Sequence, residues 1–300
     1  MSIALPVHQQ TSIRQHFSNH DRSWHDFRYV YPVISRRSRG MSVGLSLFDI
    51  KVCNFDCVYC QAGRGCASKV PPIDLSRMTD ELHAMLDAIC SGRIWQDPKF
   101  ADVTGRYRRI NDIAFSGNGE PTGSRQFANV ARIAAAAKER FELHDVKLVL
   151  ITNASLLHLP HAQQGLKVMD KHNSEVWAKL DVGTPAGFSQ INRSATNYDH
   201  LLNNIHDCAK RRPVVIQTML MKTHGKTISR NRFKAYAHRI KEMLDDDCQI
   251  DRVQLYTVAR KPAEDYVSPM SDEEMRRYAQ QLHRAVPSVK VEVFGGVDGD

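Results

Sequence analysis

Strand-like and helix-like stretches alternate along most of this 300-residue chain, which predicts an α/β protein built on a parallel sheet. Two further observations narrow the class. Six strand-like runs follow one another with helical patterns between them, and right-handed βαβ units are the cheapest way to connect them. The length is one that α/β barrels commonly use as a single domain. With 42% hydrophobic and 25% charged residues, the chain has ordinary globular composition and enough apolar material for a large core.

The elements follow in order. Residues 1–19 are polar and predict a mobile tail. Residues 27–33 read as a strand that Pro32 confines to a sheet edge or a strand end. A basic loop at 35–40 precedes the first strand of the alternation, 42–50. Leu75, Met78, Leu82, Met85, Leu86 and Ile89 share one face of a helix over 75–89. Strands are then expected at 110–115, 146–152, 175–182, 214–221 and 252–257. Helices are expected at 127–141, 159–171, 198–210 and 229–244. A helix at 272–285 and a strand at 289–294 close the chain. The stretch 92–109 reads as an insertion over the mouth of the fold. The organisation expected is an N-terminal extension (1–40), a core (41–260) and a C-terminal helix and strand packed on it (261–300).

Net charge is +8. Basic residues gather at Arg36, Arg37 and Arg39, at Arg106, Arg108 and Arg109, and at Lys210, Arg211 and Arg212. Such clusters attract phosphate or nucleic acid, but these are short, separated and free of interleaved aromatics, which favours solvated loop tips. No secretory signal and no long apolar run stand out, so a cytoplasmic location and no membrane span are expected.

The chemistry concentrates at Cys53, Cys57 and Cys60, in the run C-N-F-D-C-V-Y-C. Three thiolates are too few for a closed four-ligand site. A four-iron cluster held by three cysteines keeps one iron open to another ligand, which separates a catalytic cluster from an electron-transfer one. The competing reading is structural zinc, with Cys66 as fourth ligand in a non-enzymatic binding module that takes nucleic acid through its basic loops. Zinc sites usually present two ligand pairs, and no second C-x2-C exists here. Seven cysteines, an odd number, argue against a disulfide framework.

The C-x3-C-x2-C run, with Tyr59 before its last cysteine, resembles the signature of the radical S-adenosylmethionine (radical SAM) superfamily. The turn Ser116-Gly117-Asn118-Gly119-Glu120-Pro121 looks like that superfamily's Gly-Gly-Glu element, here Gly-Asn-Gly-Glu. The resemblance covers roughly residues 42–256. It implies a partial (β/α)6 TIM-like barrel with one 4Fe–4S cluster on Cys53, Cys57 and Cys60. It also implies SAM bound by Tyr59, Gly117, Asn118, Gly119, Glu120, Asn153 and Gln217, with Glu120 set against the methionine ammonium. The implied reaction is reductive SAM cleavage to a 5′-deoxyadenosyl radical that abstracts hydrogen from a substrate, driven by a donor such as flavodoxin or ferredoxin. The cysteine run with K-L-D-V-G-T-P and I-N-R also looks like the branch of wyosine-forming tRNA enzymes, so an RNA-base substrate is an alternative. Those enzymes carry a further cysteine cluster ahead of the barrel, and no cysteine precedes Cys53.

In a parallel barrel, chemistry gathers at the C-terminal ends of the strands, where these motifs fall. Lys179 and Asp181 stand two apart and share a face, while Val176, Ala178, Leu180 and Val182 face the helices. An inward Lys–Asp pair is expected to be catalytic or a structural ion pair. Gln217 either reaches a ligand or fills the lumen. Tyr256 either stacks on adenine or packs in the core. Arg193, His224 and Arg260 also follow strands.

Overall fold

The computed structural model describes residues 13, 15–18, 21–62 and 70–296. Most of the expected N-terminal tail, and Cys66, lie outside the described residues. The elements are β1 (Val30–Ser35), β2 (Gly40–Ser46), α1 (Leu75–Cys90), β3 (Ile110–Ser116), α2 (Phe127–Arg140), β4 (Lys147–Thr152), α3 (Pro160–Met169), β5 (Ser174–Lys179), α4 (Pro185–Ile191), α5 (Tyr198–Arg211), β6 (Val214–Leu220), β7 (Lys222–Thr223), α6 (Arg230–Asp245), β8 (Ile250–Thr257), β9 (Val267–Ser268), α7 (Asp272–Ala285) and β10 (Lys290–Phe294).

Eight strands form one sheet in the order β1-β2-β3-β4-β5-β6-β8-β10. All neighbours are parallel except β1, which runs antiparallel to β2 at the edge. The sheet curls into an open half-barrel, a partial TIM-like barrel as expected. Pro32 sits in β1, where an edge strand tolerates its missing donor. Residues 289–294 do more than pack on the barrel: β10 pairs with β8 and adds a seventh parallel strand to the six expected.

Alternation along β5 sorts the two faces. Val176 and Ala178, followed by Leu180 and Val182, join the main core beneath the helices. Trp177 turns inward with Ala114, Val149 and Val215 to fill the lumen. Helix starts follow local chemistry: Asp74, Asn197 and Ser229 cap α1, α5 and α6, and Ser271 with Glu274 forms a capping box on α7. Glu81 of α1 takes the N–H groups of Arg28, Tyr29 and Val30 at 2.8, 2.8 and 3.2 Å, fixing the entry of β1.

The sheet does not close on itself, and its two edges, β1 and β10, bound a seam. Arg36, just after β1, spans it by donating to the carbonyls of Gly295, after β10, and Thr257, at the end of β8. The stretch 92–109 does not cover the mouth. It leaves α1 at the N-terminal end of the strands, where Arg109 O accepts from Met41 N. There Ile94, Phe100 and Val103 are buried, Phe100 against Trp24 and His16. The expectation failed because these apolar residues find a partner in the N-terminal segment, which sequence spacing does not disclose.

Candidate active site

A cavity of about 320 Å³ opens at the C-terminal ends of the parallel strands. Cys53, Cys57 and Cys60 all line it, together with Gly117, Gly119, Glu120, Asn153, Tyr59, Lys179 and Gln217. The cysteine loop follows β2, and the glycine turn follows β3. The two are stitched together: Val52 N donates to Asn118 O at 3.1 Å, and Glu120 N donates to Val52 O at 2.9 Å. A Cβ on Gly119 would stand 2.1 Å from Val52 O, so only glycine allows this approach. Gly117 has φ +115°, and a Cβ there would stand 2.4 Å from Ser46 Oγ. The glycines therefore place the chain segment that leads into Cys53.

Amides face the sulfurs. Phe55 N lies 3.4 Å from Cys53 Sγ, Asn153 Nδ2 lies 3.6 Å from the same sulfur, and Asn192 Nδ2 lies 3.5 Å from Cys57 Sγ. Asn192, at the end of α4, is the residue that reaches the sulfur, whereas the sequence points to its neighbour Arg193. The signal was the I-N-R run itself. Arg193 turns away to Glu264 and Tyr266, each at 2.6 Å. Burial pushes the Cys57 thiol up to about 12, opposed by Lys179, and burial also raises Cys53. Thiols held protonated in this way ionise when a soft metal takes the proton's place.

Glu120 is buried, and its carboxylate is well supplied with donors from the protein. Oε1 accepts from Thr122 N (3.2 Å), Thr122 Oγ1 (2.5 Å) and Thr152 Oγ1 (2.6 Å), and Oε2 accepts from Asn153 N (2.6 Å). Burial raises its pKa and these bonds pull against that rise. Glu120 thus ties the end of β3 to the end of β4 and sets Asn153. Asn118 does not line the cavity. Its side chain donates to Asp49 O at 3.0 Å and accepts from Arg22 at 2.8 Å.

Lys179 projects into the lumen, 2.8 Å from the Tyr256 hydroxyl and 4.5 Å from the centre of the Tyr59 ring. Burial works against its charge, yet the Tyr256 hydroxyl and Asp181 outweigh it and raise its pKa. Lys179 is therefore a fixed cation, unlike the depressed lysines that serve as bases or nucleophiles. Asp181 is buried behind the lining. It accepts from Tyr59 Oη, Asn192 Nδ2 (2.8 Å) and Met219 N (2.9 Å), a network that joins the cysteine loop to β6. Burial and Asp181 push the Tyr59 phenol up. Gln217 is fully buried and linked at both ends, to Arg37 (3.0 Å) and Gln254 (2.9 Å). His224 stacks on Tyr266 at 4.4 Å. Arg36 and Arg37 enter the cavity wall instead of standing as loop tips, and Arg260, after β8, joins them there.

A soft donor set of three thiols on one loop, with amides aimed at two of them, fits an iron–sulfur cluster. Among the described residues, no three His, Cys, Asp or Glu side chains converge on a point that one metal ion would fill. Cluster ligands bind separate irons and need not converge. Among the described residues, no helix is long and apolar enough to cross a membrane.

No family model matches the chain. A protein of Brachyspira hyodysenteriae named GTPase Obg is 24% identical over 276 residues, 89% of this chain but 35% of that protein's length. No glycine pair in this chain has the spacing of a G-x4-G-K-[ST] phosphate loop, so that element of a GTPase is not in the sequence given. A UPF0026 protein of Helicobacter pylori is 26% identical over 249 residues, 81% of this chain and 70% of that protein. A UPF0026 protein of Methanocaldococcus jannaschii is 23% identical over 274 residues, 90% of this chain and 75% of that protein. Among solved structures, TYW1 with a lysine–pyruvate adduct bound superposes with a TM-score of 0.57 at 12% identity, over 93% of this chain and 90% of that one. The chain thus shares its fold with TYW1.

Proposed function

We propose that this chain is a radical SAM enzyme. The observation that carries the reading is the stitching of Val52 to Asn118 and Glu120, which sets the C-x3-C-x2-C loop and the glycine turn on one cavity. Cys53, Cys57 and Cys60 would hold one 4Fe–4S cluster, and the backbone of Gly117–Gly119 with Asn153 would bind SAM. When bound and reduced by a donor such as flavodoxin or ferredoxin, that pair supplies a 5′-deoxyadenosyl radical for hydrogen abstraction. The protein's own residues bind, orient and exclude water. Asn153 and Asn192 hold the thiolates. Glu120 acts one step back, by fixing Asn153 N. Lys179 offers a permanent positive charge to substrate, and Asp181 fixes Tyr59 beneath it. A base in RNA is the alternative substrate, carried by the likeness of the cysteine, K-L-D-V-G-T-P and I-N-R runs to those of the wyosine-forming tRNA enzymes.

The experiment is anaerobic reconstitution with iron and sulfide, then SAM and dithionite. Brown protein that releases 5′-deoxyadenosine is expected. A colourless protein that incorporates zinc but no iron would end the reading.

A further inference from the structure

Four arginines line the cavity: Arg22, Arg36, Arg37 and Arg260. They come from the N-terminal segment, the β1–β2 turn and the loop after β8, three stretches that meet at the seam. With Lys179 they make five cationic side chains on the lining, against two carboxylates, Asp112 and Glu120. Glu120 is engaged by its own threonines. Asp112 is pushed up to about 6 by burial and is held by the Ser42 hydroxyl, so at neutral pH it offsets one of the five cations.

The hydrogen-bond acceptors of Arg36, Arg37 and Arg260 are neutral groups, and Asp112 is the carboxylate that acts on Arg37 through space. Arg36 donates to the carbonyls of Gly295 and Thr257, Arg37 to Gln217 Oε1, and Arg260 Nε to Phe17 O at 3.0 Å. Each guanidinium carries five donors, so donors remain for a ligand. Burial first, then the neighbouring arginines, lowers Arg36 and Arg260 to about 10. Half-buried like charges held against neutral groups cost free energy that an incoming dianion offsets. Aromatic faces fix the orientation: Arg37 lies 5.6 Å from the Trp177 ring centre and 5.0 Å from that of Tyr256. The same tyrosine's hydroxyl accepts from Lys179 Nζ. Tyr256 thus links the arginine wall to the lysine beside Cys57.

We propose that Arg37 and Arg260, flanked by Arg36 and Arg22, bind the phosphate monoester of a small-molecule substrate. That the phosphate belongs to the substrate rests on the reading of this cavity as an active site; that the wall binds phosphate does not. The planar guanidinium fork suits phosphate oxygens, and several forks together suit a dianion better than a single carboxylate or a phosphodiester.

The test is calorimetric titration of the full chain, before and after cluster reconstitution, at about 0.15 M salt. The probes are inorganic phosphate, glycerol 3-phosphate, succinate and a short RNA without terminal phosphates. Phosphate and glycerol 3-phosphate are expected to bind, and Arg37→Met and Arg260→Met to weaken both at least about tenfold, one lost charge-assisted contact each. Arg37→Lys and Arg260→Lys keep the charge without the fork and are expected to fall between, which guards against loss by misfolding. No phosphate binding, binding unchanged in all four variants, or tighter binding of succinate or RNA would overturn the proposal. Iron content is read on the same samples. Cluster assembly without phosphate binding sinks this proposal alone, and phosphate binding without a cluster sinks the enzyme reading alone.

Discussion

Asn192 places its side-chain NH2 group between two acceptors, 2.8 Å from Asp181 Oδ2 and 3.5 Å from Cys57 Sγ, one N–H for each. The same amide thus couples a cluster ligand to the carboxylate that anchors Tyr59 and β6. Amide donors to thiolate sulfur orient the ligand and stabilise its charge. Asn192→Leu keeps the volume and removes the donor. It is expected to lower iron affinity by about 10- to 100-fold, read as faster iron loss to a chelator. Iron retention equal to wild type would exclude Asn192 from the ligand's support.

The cysteines themselves divide cleanly. Cys57→Ala is expected to abolish the brown colour and the reductive cleavage of SAM. Cys90→Ser, at an exposed helix end, is expected to change neither. Undiminished 5′-deoxyadenosine from Cys57→Ala would refute the ligand assignment.

Glu120 should matter to the fold before it matters to any ligand. Glu120→Ala leaves the donors of Thr122, Thr152 and Asn153 without their acceptor in a buried place. Its cost is expected to be about 2–4 kcal/mol of stability in the metal-free chain, measured by urea unfolding. A stable metal-free variant that had lost only SAM affinity would instead make the carboxylate a direct ligand group.

Gly119→Ala brings a side chain onto Val52 O and should separate the glycine turn from the cysteine loop. Reconstituted iron per chain is expected to fall, with α-helical circular dichroism unchanged. Full iron loading would show that the Val52 contact is dispensable.

Asp112 gives a pH-dependent signature. Burial raises its folded pKa to about 6, above the unfolded value near 3.8. The folded state therefore holds the proton more tightly, and stability falls as pH rises from about 4 to about 6, by at most about 3 kcal/mol. Asp112→Asn removes that loss, so the variant should gain on wild type between pH 4 and pH 7. Parallel pH profiles for the two proteins would contradict the shift.

What the sequence disclosed is what depends on local spacing. The two periodicities marked the strands and helices, and the cysteine run marked its loop. The short α4 went unread although Thr184 caps it and Pro185 opens it, because seven residues carry too little periodic signal. β10 was visible as a strand but not as a sheet member, since its partner β8 is a distant segment. The arginine wall is hidden from the sequence for the same reason. Arg36 and Arg37 look like a turn until the sheet curls and brings Trp177, Gln217 and Arg260 to meet them. Asn192 and Asp181 likewise acquire their partners only through tertiary packing.

A closed barrel has its girth fixed by an unbroken ring of strand hydrogen bonds. This half-barrel lacks that hoop, and across its seam the work falls to the Arg36 guanidinium gripping two carbonyls. The bore of the lumen is consequently set by long, flexible side chains, Arg36 foremost, with Arg37 on Gln217 and Arg260 on Phe17 O beside it. A residue of this kind works as a buckle: anything that competes for the guanidinium slackens the waist of the molecule, and anything that leaves it alone keeps the interior at a single calibre.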